Sequence, residues 1–221
     1  MSEPFSVDCR EALRYLGFRG KEADEATAAL LKQAADRLVK MAQPRTIWKQ
    51  FSLAEDEEGL YLPQAGLRLA GRAVQRHLCG CRQCILMAAT LGLETDRLLQ
   101  RTQLQNMALA ATMDACASAA IEDVCNRLCR KLIESSGPLT ARFSPGYGDL
   151  PLTLQRDFIR LLDAPRKIGL TLTESCMLTP QKSVTAVMGI LPEGMEKSVL
   201  DRCGSCDMRK HCPYRSEQEG D

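Results

Sequence analysis

The sequence predicts a fold of the α/β (α+β) class, helices mixed with a sheet, and three observations point there. Residues 22–43 repeat apolar side chains with a helical period. The run ILMAATL at 85–91 is a strand's length of apolar residues closed by Gly92, and a long helical pattern follows it. Short stretches at 46–53 and 184–190 have the composition of strands. Strands joined through long helices place the chain among mixed folds.

Each element has its own local reason. In 22–43, Leu30, Ala34, Leu38 and Met41 fall on one face opposite Lys32, Gln33, Asp36 and Lys40, and Pro44 marks the end. Ile47, Trp48 and Phe51 suit a strand over 46–53, and Glu55 to Gly59 form an acidic turn into 60–62. A long helix is expected from about 96 to 134, capped by Thr95 or Asp96 and open to an interruption. Its inner stripe is Cys125, Leu128, Cys129 and Leu132, with Glu122, Asp123, Asn126, Arg127 and Arg130 outside. SSGP at 135–138 stops it, and 139–143 reads as a strand. Thr153 is expected to cap the helix LQRDFIRLLDA, which should end before Pro165. Segments 168–173 and 184–190 then read as two strands, with a Cys-rich tail from about 201.

Composition narrows the function classes. The 221 residues carry 29 Lys+Arg against 28 Asp+Glu, so no basic excess marks a nucleic-acid binder. With 45% hydrophobic and 26% charged residues the chain is neither disordered nor fibrous. No run approaches 18 apolar residues, which argues against a membrane helix. The beginning MSEPFSVDCRE lacks a basic and an apolar region, so a cytoplasmic setting with reduced thiols is expected. His77 and His211 are the only histidines, which leaves little material for a Ser-His-Asp or Cys-His catalytic set.

Eleven cysteines need sorting. Cys203, Cys206 and Cys212 are spaced C-x2-C-x5-C and followed by Pro213; such thiolates can converge on zinc or an iron–sulfur cluster. A redox dithiol is the other chemistry open to them, and His211, Cys176 or the 79–84 cluster could supply a fourth ligand. In CGCRQC at 79–84 the plainer expectation packs Cys79 and Cys84 under the strand and leaves Cys81 in a loop. Cys116, Cys125 and Cys129 sit at helical spacing on the apolar stripe and read as core.

The most distinctive stretch is RFSPGYGDLP at 142–151. Arg142 offers a planar fork for a carboxylate. Pro145 and Gly146 force a turn in which Gly146 lets a ligand approach the backbone. Tyr147 adds a ring for stacking and a hydroxyl. Such a set suits a small zwitterionic or aromatic ligand; the plainer alternative is a strand-to-helix connection with a structural ion pair.

That stretch, the helix after it, LTES at 172–175 and TPQKSVTAVMGI at 179–190 resemble the activation domain of cobalamin-dependent methionine synthase. The family pattern runs R-x-x-P-G-Y, a helix, L-T-E-S, then P-x-x-S-V-S before a strand. Arg142, Pro145, Gly146, Tyr147, Leu172, Thr173, Glu174, Ser175, Pro180, Ser183 and Val184 match it in order, over roughly 110–190. ILMAATLG and the helix bearing Asp114 and Glu122 resemble the shorter, stand-alone members.

The resemblance implies a C-shaped domain with a twisted antiparallel sheet. It implies binding of S-adenosylmethionine and its presentation to an inactivated cobalamin, which an electron donor reduces before methyl transfer. Carried over, Arg142 would meet the methionine carboxylate, the backbone around Ser144 the adenine, and Tyr147 the methyl or the ligand's face, with Gly146 among the ligand-binding residues. Three departures stand out. Ser118 falls where synthases carry an acidic ligand-holding residue, GDLP replaces a P-A-C-P type run, and the Cys-rich tail is additional.

The expected organisation is therefore 1–80 completing the domain, 81–195 an activation-domain-like core, and 196–221 a metal-binding tail. The expected activity is reactivation of a separate corrinoid-binding protein or cobalamin-dependent methyltransferase, in methionine synthesis or one-carbon metabolism. A cluster on the tail would let the chain deliver the reducing electron itself. The competing expectations are a non-catalytic module docking on a corrinoid protein, and an iron–sulfur redox protein that binds no adenosyl ligand.

Overall fold

The central sheet is built on the apolar run foreseen at 85–91. In a computed structural model, which describes residues 5–18 and 23–192, this run is strand β5, Gln83–Thr90. It lies between β1, Arg45–Ser52, and β8, Ser183–Ile190, in the order β1-β5-β8. Residues 84–89 of β5 are wholly buried, as expected of a strand covered on both faces. Burying each large apolar side chain there contributes roughly 1.5–3 kcal/mol.

Two smaller antiparallel sheets complete the strand set. Strands β2, Ala54–Asp56, β3, Gly59–Leu62, and β4, Leu67–Arg68, form one, with the acidic turn in its first hairpin. Arg68 of β4 grips Asp56 of β2, the two outer strands of this sheet, through two bonds of 2.8 and 2.7 Å. The other sheet pairs β6, Thr171–Leu172, with β7, Leu178–Thr179.

The helices are α1, Cys9–Tyr15, α2, Glu25–Met41, α3, Arg72–His77, α4, Leu93–Gln105, α5, Met107–Ser136, α6, Gln155–Leu162, and α7, Ala164–Ile168. Asp8 and Asp24 cap α1 and α2 with their carboxylates. The buried face of α2 is Leu31, Ala34 and Leu38; Met41 is exposed, so the stripe is rotated from the expected one and ends a turn earlier.

By compactness the chain divides into two units, each with its own hydrogen bonds. Among the described residues, the first takes in 5–18, 23–48, 87–128 and 155–185, and the second 49–86, 129–154 and 186–192. In the first unit, α2 packs on α4, and Arg127 links Asp123 of its own helix to the Ser6 hydroxyl.

Several expectations are corrected. Neither Thr95 nor Asp96 caps the long helix: α4 starts at Leu93 after Gly92, and Thr95 instead bonds back to the Leu91 carbonyl. The interruption falls at Asn106, whose backbone is extended and whose side chain accepts from the Leu109 N–H. Segment 139–143 forms only isolated antiparallel bridges to β8, at Leu139↔Ile190 and Phe143↔Val187. Thr153 lies inside a 3-10 turn, Leu152–Leu154, that precedes α6.

The expected helix before Pro165 ends at Leu162 because Asp163 is left-handed, at φ 51°. Pro165 does not stop a helix; it opens α7, where its missing N–H is no loss. Gly169, at φ 70°, then closes α7, so Ile168 belongs to a helix and the strand there shrinks to Thr171 and Leu172.

Candidate functional site

Residues 142–151 lie in the second unit and form a closed turn. At its entrance Phe143 exchanges both backbone bonds with Val187 of β8, at 3.0 and 2.9 Å. Beyond it, the Tyr147 N–H donates to the Ser144 carbonyl at 3.1 Å, and the Gly146 N–H to the Leu150 carbonyl at 2.9 Å. Gly146 has φ 92°, a backbone that disfavours any residue with a Cβ. The expected Pro145-Gly146 turn is therefore present, with Pro145 buried and Gly146 and Tyr147 exposed.

Arg142 is partly buried, and its Nη1 donates to the Cys129 thiol at 3.4 Å. Cys129 is fully buried and donates in turn to the Met188 sulfur at 3.6 Å. A thiol is a weak acceptor for a guanidinium. Tyr147 is 62% exposed. Its ring meets Phe143 edge-on at 6.4 Å, and Phe143 lies 5.0 Å from the His77 ring. The four expected ligand residues, Arg142, Ser144, Gly146 and Tyr147, thus occupy one ordered turn.

Sequence reasoning missed what holds this turn from the other side. Asp149 accepts the N–H groups of Arg72 and Ala73 at 2.7 and 2.9 Å, serving as the cap that Gly71 cannot provide to α3. Those two bonds, to Ala73 first, hold its carboxyl below the usual range, with Arg76 adding attraction. His77 Nε2 lies 2.7 Å from the Ala141 carbonyl oxygen, an acceptor, so this nitrogen carries the hydrogen. The partners are 64 to 77 residues apart, and nothing local in the sequence signals such pairs.

Ser118, LTES at 172–175 and residues 179–185 of the last motif belong to the first unit. Ser118 accepts from Lys182 Nζ at 2.9 Å and donates to the Asp114 carbonyl, while Lys182 pairs with the Asp114 carboxylate at 2.9 Å. The position lacking the expected acid is thus occupied by a lysine's partner. In LTES, Thr173 Oγ1 bonds Ser175 and accepts from the Met177 N–H, closing the β6–β7 hairpin. Arg156 of α6 donates to the Glu174 carbonyl. The Gln181 N–H donates to Asp96 Oδ2 at 2.8 Å, and the Ser183 hydroxyl bonds Thr90 at 2.8 Å.

Among the cysteines of 79–84, Cys84 lies buried as expected, while Cys79 and Cys81 differ from expectation. Cys79 is exposed, whereas Cys81 and Cys84 are buried. Cys81 packs against Gly189, where any larger residue would collide with its sulfur. Burial pushes the Cys84 and Cys116 thiols up to about 12, so both stay protonated at neutral pH and serve as core. Cys125 and Cys129 are buried as expected. Cys203, Cys206 and Cys212 lie outside the described residues. Among the described residues, no group of three or more His, Cys, Asp or Glu is placed to hold a metal ion. Nor is any helix among them long and apolar enough to cross a membrane.

No curated protein matches the chain. Among solved structures it is similar to a crystal structure of the MetH reactivation domain bound to AdoHcy, with a TM-score of 0.63 at 18% identity. That similarity covers 90% of this chain and 84% of the other, and it establishes a shared fold. The model of the vitamin B12 dependent methionine synthase activation domain matches residues 87–200. This match takes in more than half of the 221 residues, and the chain belongs to that family.

Proposed function

We propose that the chain binds S-adenosylmethionine on the 142–147 turn and presents it to the cobalamin of a separate corrinoid-binding methyltransferase. The observation that carries this reading is the R-F-S-P-G-Y turn itself. It is closed by its own backbone bonds and leaves Gly146 and Tyr147 exposed, in a member of the activation-domain family. The likeness to a domain solved with AdoHcy supports it through the shared fold.

In this reading Arg142 donates to the ligand's carboxylate, which can accept two parallel bonds. The backbone around Ser144 and Gly146 faces the adenine, and the absence of a Cβ at Gly146 permits close approach. Tyr147 covers the ligand and shields the reacting methyl from water. When bound, the ligand would supply an activated sulfonium methyl; an electron donor would reduce the partner's cob(II)alamin to cob(I)alamin, the acceptor of that methyl, and S-adenosylhomocysteine would be left. The setting proposed is cytoplasmic, in methionine synthesis or one-carbon metabolism.

Calorimetric titration with S-adenosylmethionine and S-adenosylhomocysteine tests the reading. Wild type should bind, and Arg142→Ala should weaken binding roughly tenfold or more through loss of a charged hydrogen-bonding pair. Absence of heat with both ligands overturns it and leaves the docking module or the redox protein.

The proposal extends to Cys203, Cys206 and Cys212 as ligands of an iron–sulfur cluster that delivers the electron, or of zinc as a staple. It rests on their C-x2-C-x5-C spacing. Iron analysis with a visible spectrum on anaerobic protein separates the two. Colourless, zinc-loaded protein removes electron delivery, and metal-free protein removes both.

A further inference from the structure

We infer that the segment 71–77, which lies upstream of the family match, is built into the ligand turn, and that Asp149 is the residue positioning the turn upon it. The inference deepens the proposed function and rests on that reading for the identity of the ligand. It accounts for one of the departures from the synthase pattern, the GDLP run, through its Gly148 and Asp149.

Three contacts carry it. Asp149 holds the first two N–H groups of α3 through separate oxygens, Oδ2 to Arg72 and Oδ1 to Ala73. Gly71, at φ 126°, leaves room for that carboxylate, since a Cβ there would lie 2.6 Å from Asp149 Oδ1 and 2.9 Å from its carbonyl oxygen. Gly148, at φ 55°, lets the turn lie against the helix, because a Cβ there would approach the Ala73 Cβ to 2.8 Å. At the far end of the same helix, His77 holds the Ala141 carbonyl, next to Arg142, and lies against Phe143.

Helix α3 is thereby bonded to both sides of the R-F-S-P-G-Y turn, at 141 and at 149. The four ligand residues lie between these anchors. A turn of this length in solvent would sample many conformations, and freezing it on binding would cost affinity. Tethering it at both ends removes part of that cost beforehand. Residues 71–77 touch no ligand in this scheme; they act through the pose of Gly146 and Tyr147.

The test uses the full chain and two readouts. The first needs no ligand: amide hydrogen exchange in wild type, Asp149→Ala and Asp149→Asn. The expected result is that Asp149→Ala accelerates exchange roughly tenfold or more at Gly146, Tyr147 and Leu150 as well as at Arg72 and Ala73, with the amides of β5 unchanged. Asp149→Asn, which keeps one acceptor, should fall between. Acceleration confined to Arg72 and Ala73 would reduce Asp149 to a helix cap and overturn the inference.

The second readout is the affinity for S-adenosylhomocysteine, expected to weaken roughly tenfold in Asp149→Ala and to be partly restored in Asp149→Asn. Gly148→Ala, which separates turn from helix with the carboxylate intact, should weaken it as well. Unchanged affinity in all three would also overturn the inference. If wild type binds no S-adenosylhomocysteine, the functional reading fails while the exchange result still decides the coupling.

Discussion

Asp149 and Asp96 each tie a motif-bearing segment to another part of its own unit through backbone N–H groups, yet they do so under opposite conditions. Asp149, in the second unit, is exposed, and both its oxygens are engaged by α3. Asp96, in the first, is 8% exposed; Oδ2 accepts from Gln181, and the buried Oδ1 has no partner. Water competes for every bond that Asp149 makes, so its clasp orders a turn without dominating the stability of the fold. Asp96 has no such competitor: whatever it leaves unsatisfied is unsatisfied in the folded state alone. The difference predicts that one aspartate governs ligand affinity and the other governs folding.

The largest effect should come from Asp96. Asp96→Ala leaves the Gln181 N–H without its acceptor and should lower the unfolding free energy by about 1–3 kcal/mol. Asp96→Asn keeps an acceptor and should cost less; urea denaturation of both variants measures the split. An equal loss in the two would mean that the charge, and not the hydrogen bond, matters. Asp149→Ala should shift the urea midpoint less than Asp96→Ala while having the larger effect on S-adenosylhomocysteine affinity. If the two rank the same way in both assays, the division between folding and binding is wrong.

The smallest effect concerns a third carboxylate. Asp56, exposed in the β2–β3 hairpin, is lowered from 3.8 to about 2, chiefly by its hydrogen bonds to Arg68. A carboxyl lowered by folding contributes stability that is present above its ordinary value and lost as pH falls through the lowered one. The pair should therefore hold at pH 4 and open only toward pH 2. An NMR titration of the Asp56 carboxyl should show this midpoint, and Arg68→Gln should return it toward 3.8. A midpoint near 3.8 in wild type would show the pair to be dispersed by solvent.

Much of the architecture was legible because it is written in contiguous residues. Helix α2, the buried strand β5, the Cys125–Leu128–Cys129–Leu132 stripe and strand β8 follow from periodicity and apolar runs. The Pro145-Gly146 turn follows from the conformational freedom of glycine. The errors arose where local rules compete. Pro165 reads equally as a helix stop or a helix start, and the left-handed Asp163 decided for the second. In CGCRQC alternation cannot tell which thiols face inward; Gly189 on β8 makes the space that Cys81 fills.

The candidate site divides along the same line. The sequence by itself determined that Arg142, Ser144, Gly146 and Tyr147 share one turn, since they are near neighbours around a glycine that must bend. Only the tertiary structure decided that Arg142 rests on the Cys129 thiol, that Lys182 takes Ser118 as partner, and that Asp149 and His77 join the turn to α3. Those partners are separated by 13 to 77 residues. Each bond needs two segments brought within 3 to 4 Å, and that proximity is a property of the packed chain, which no local propensity encodes.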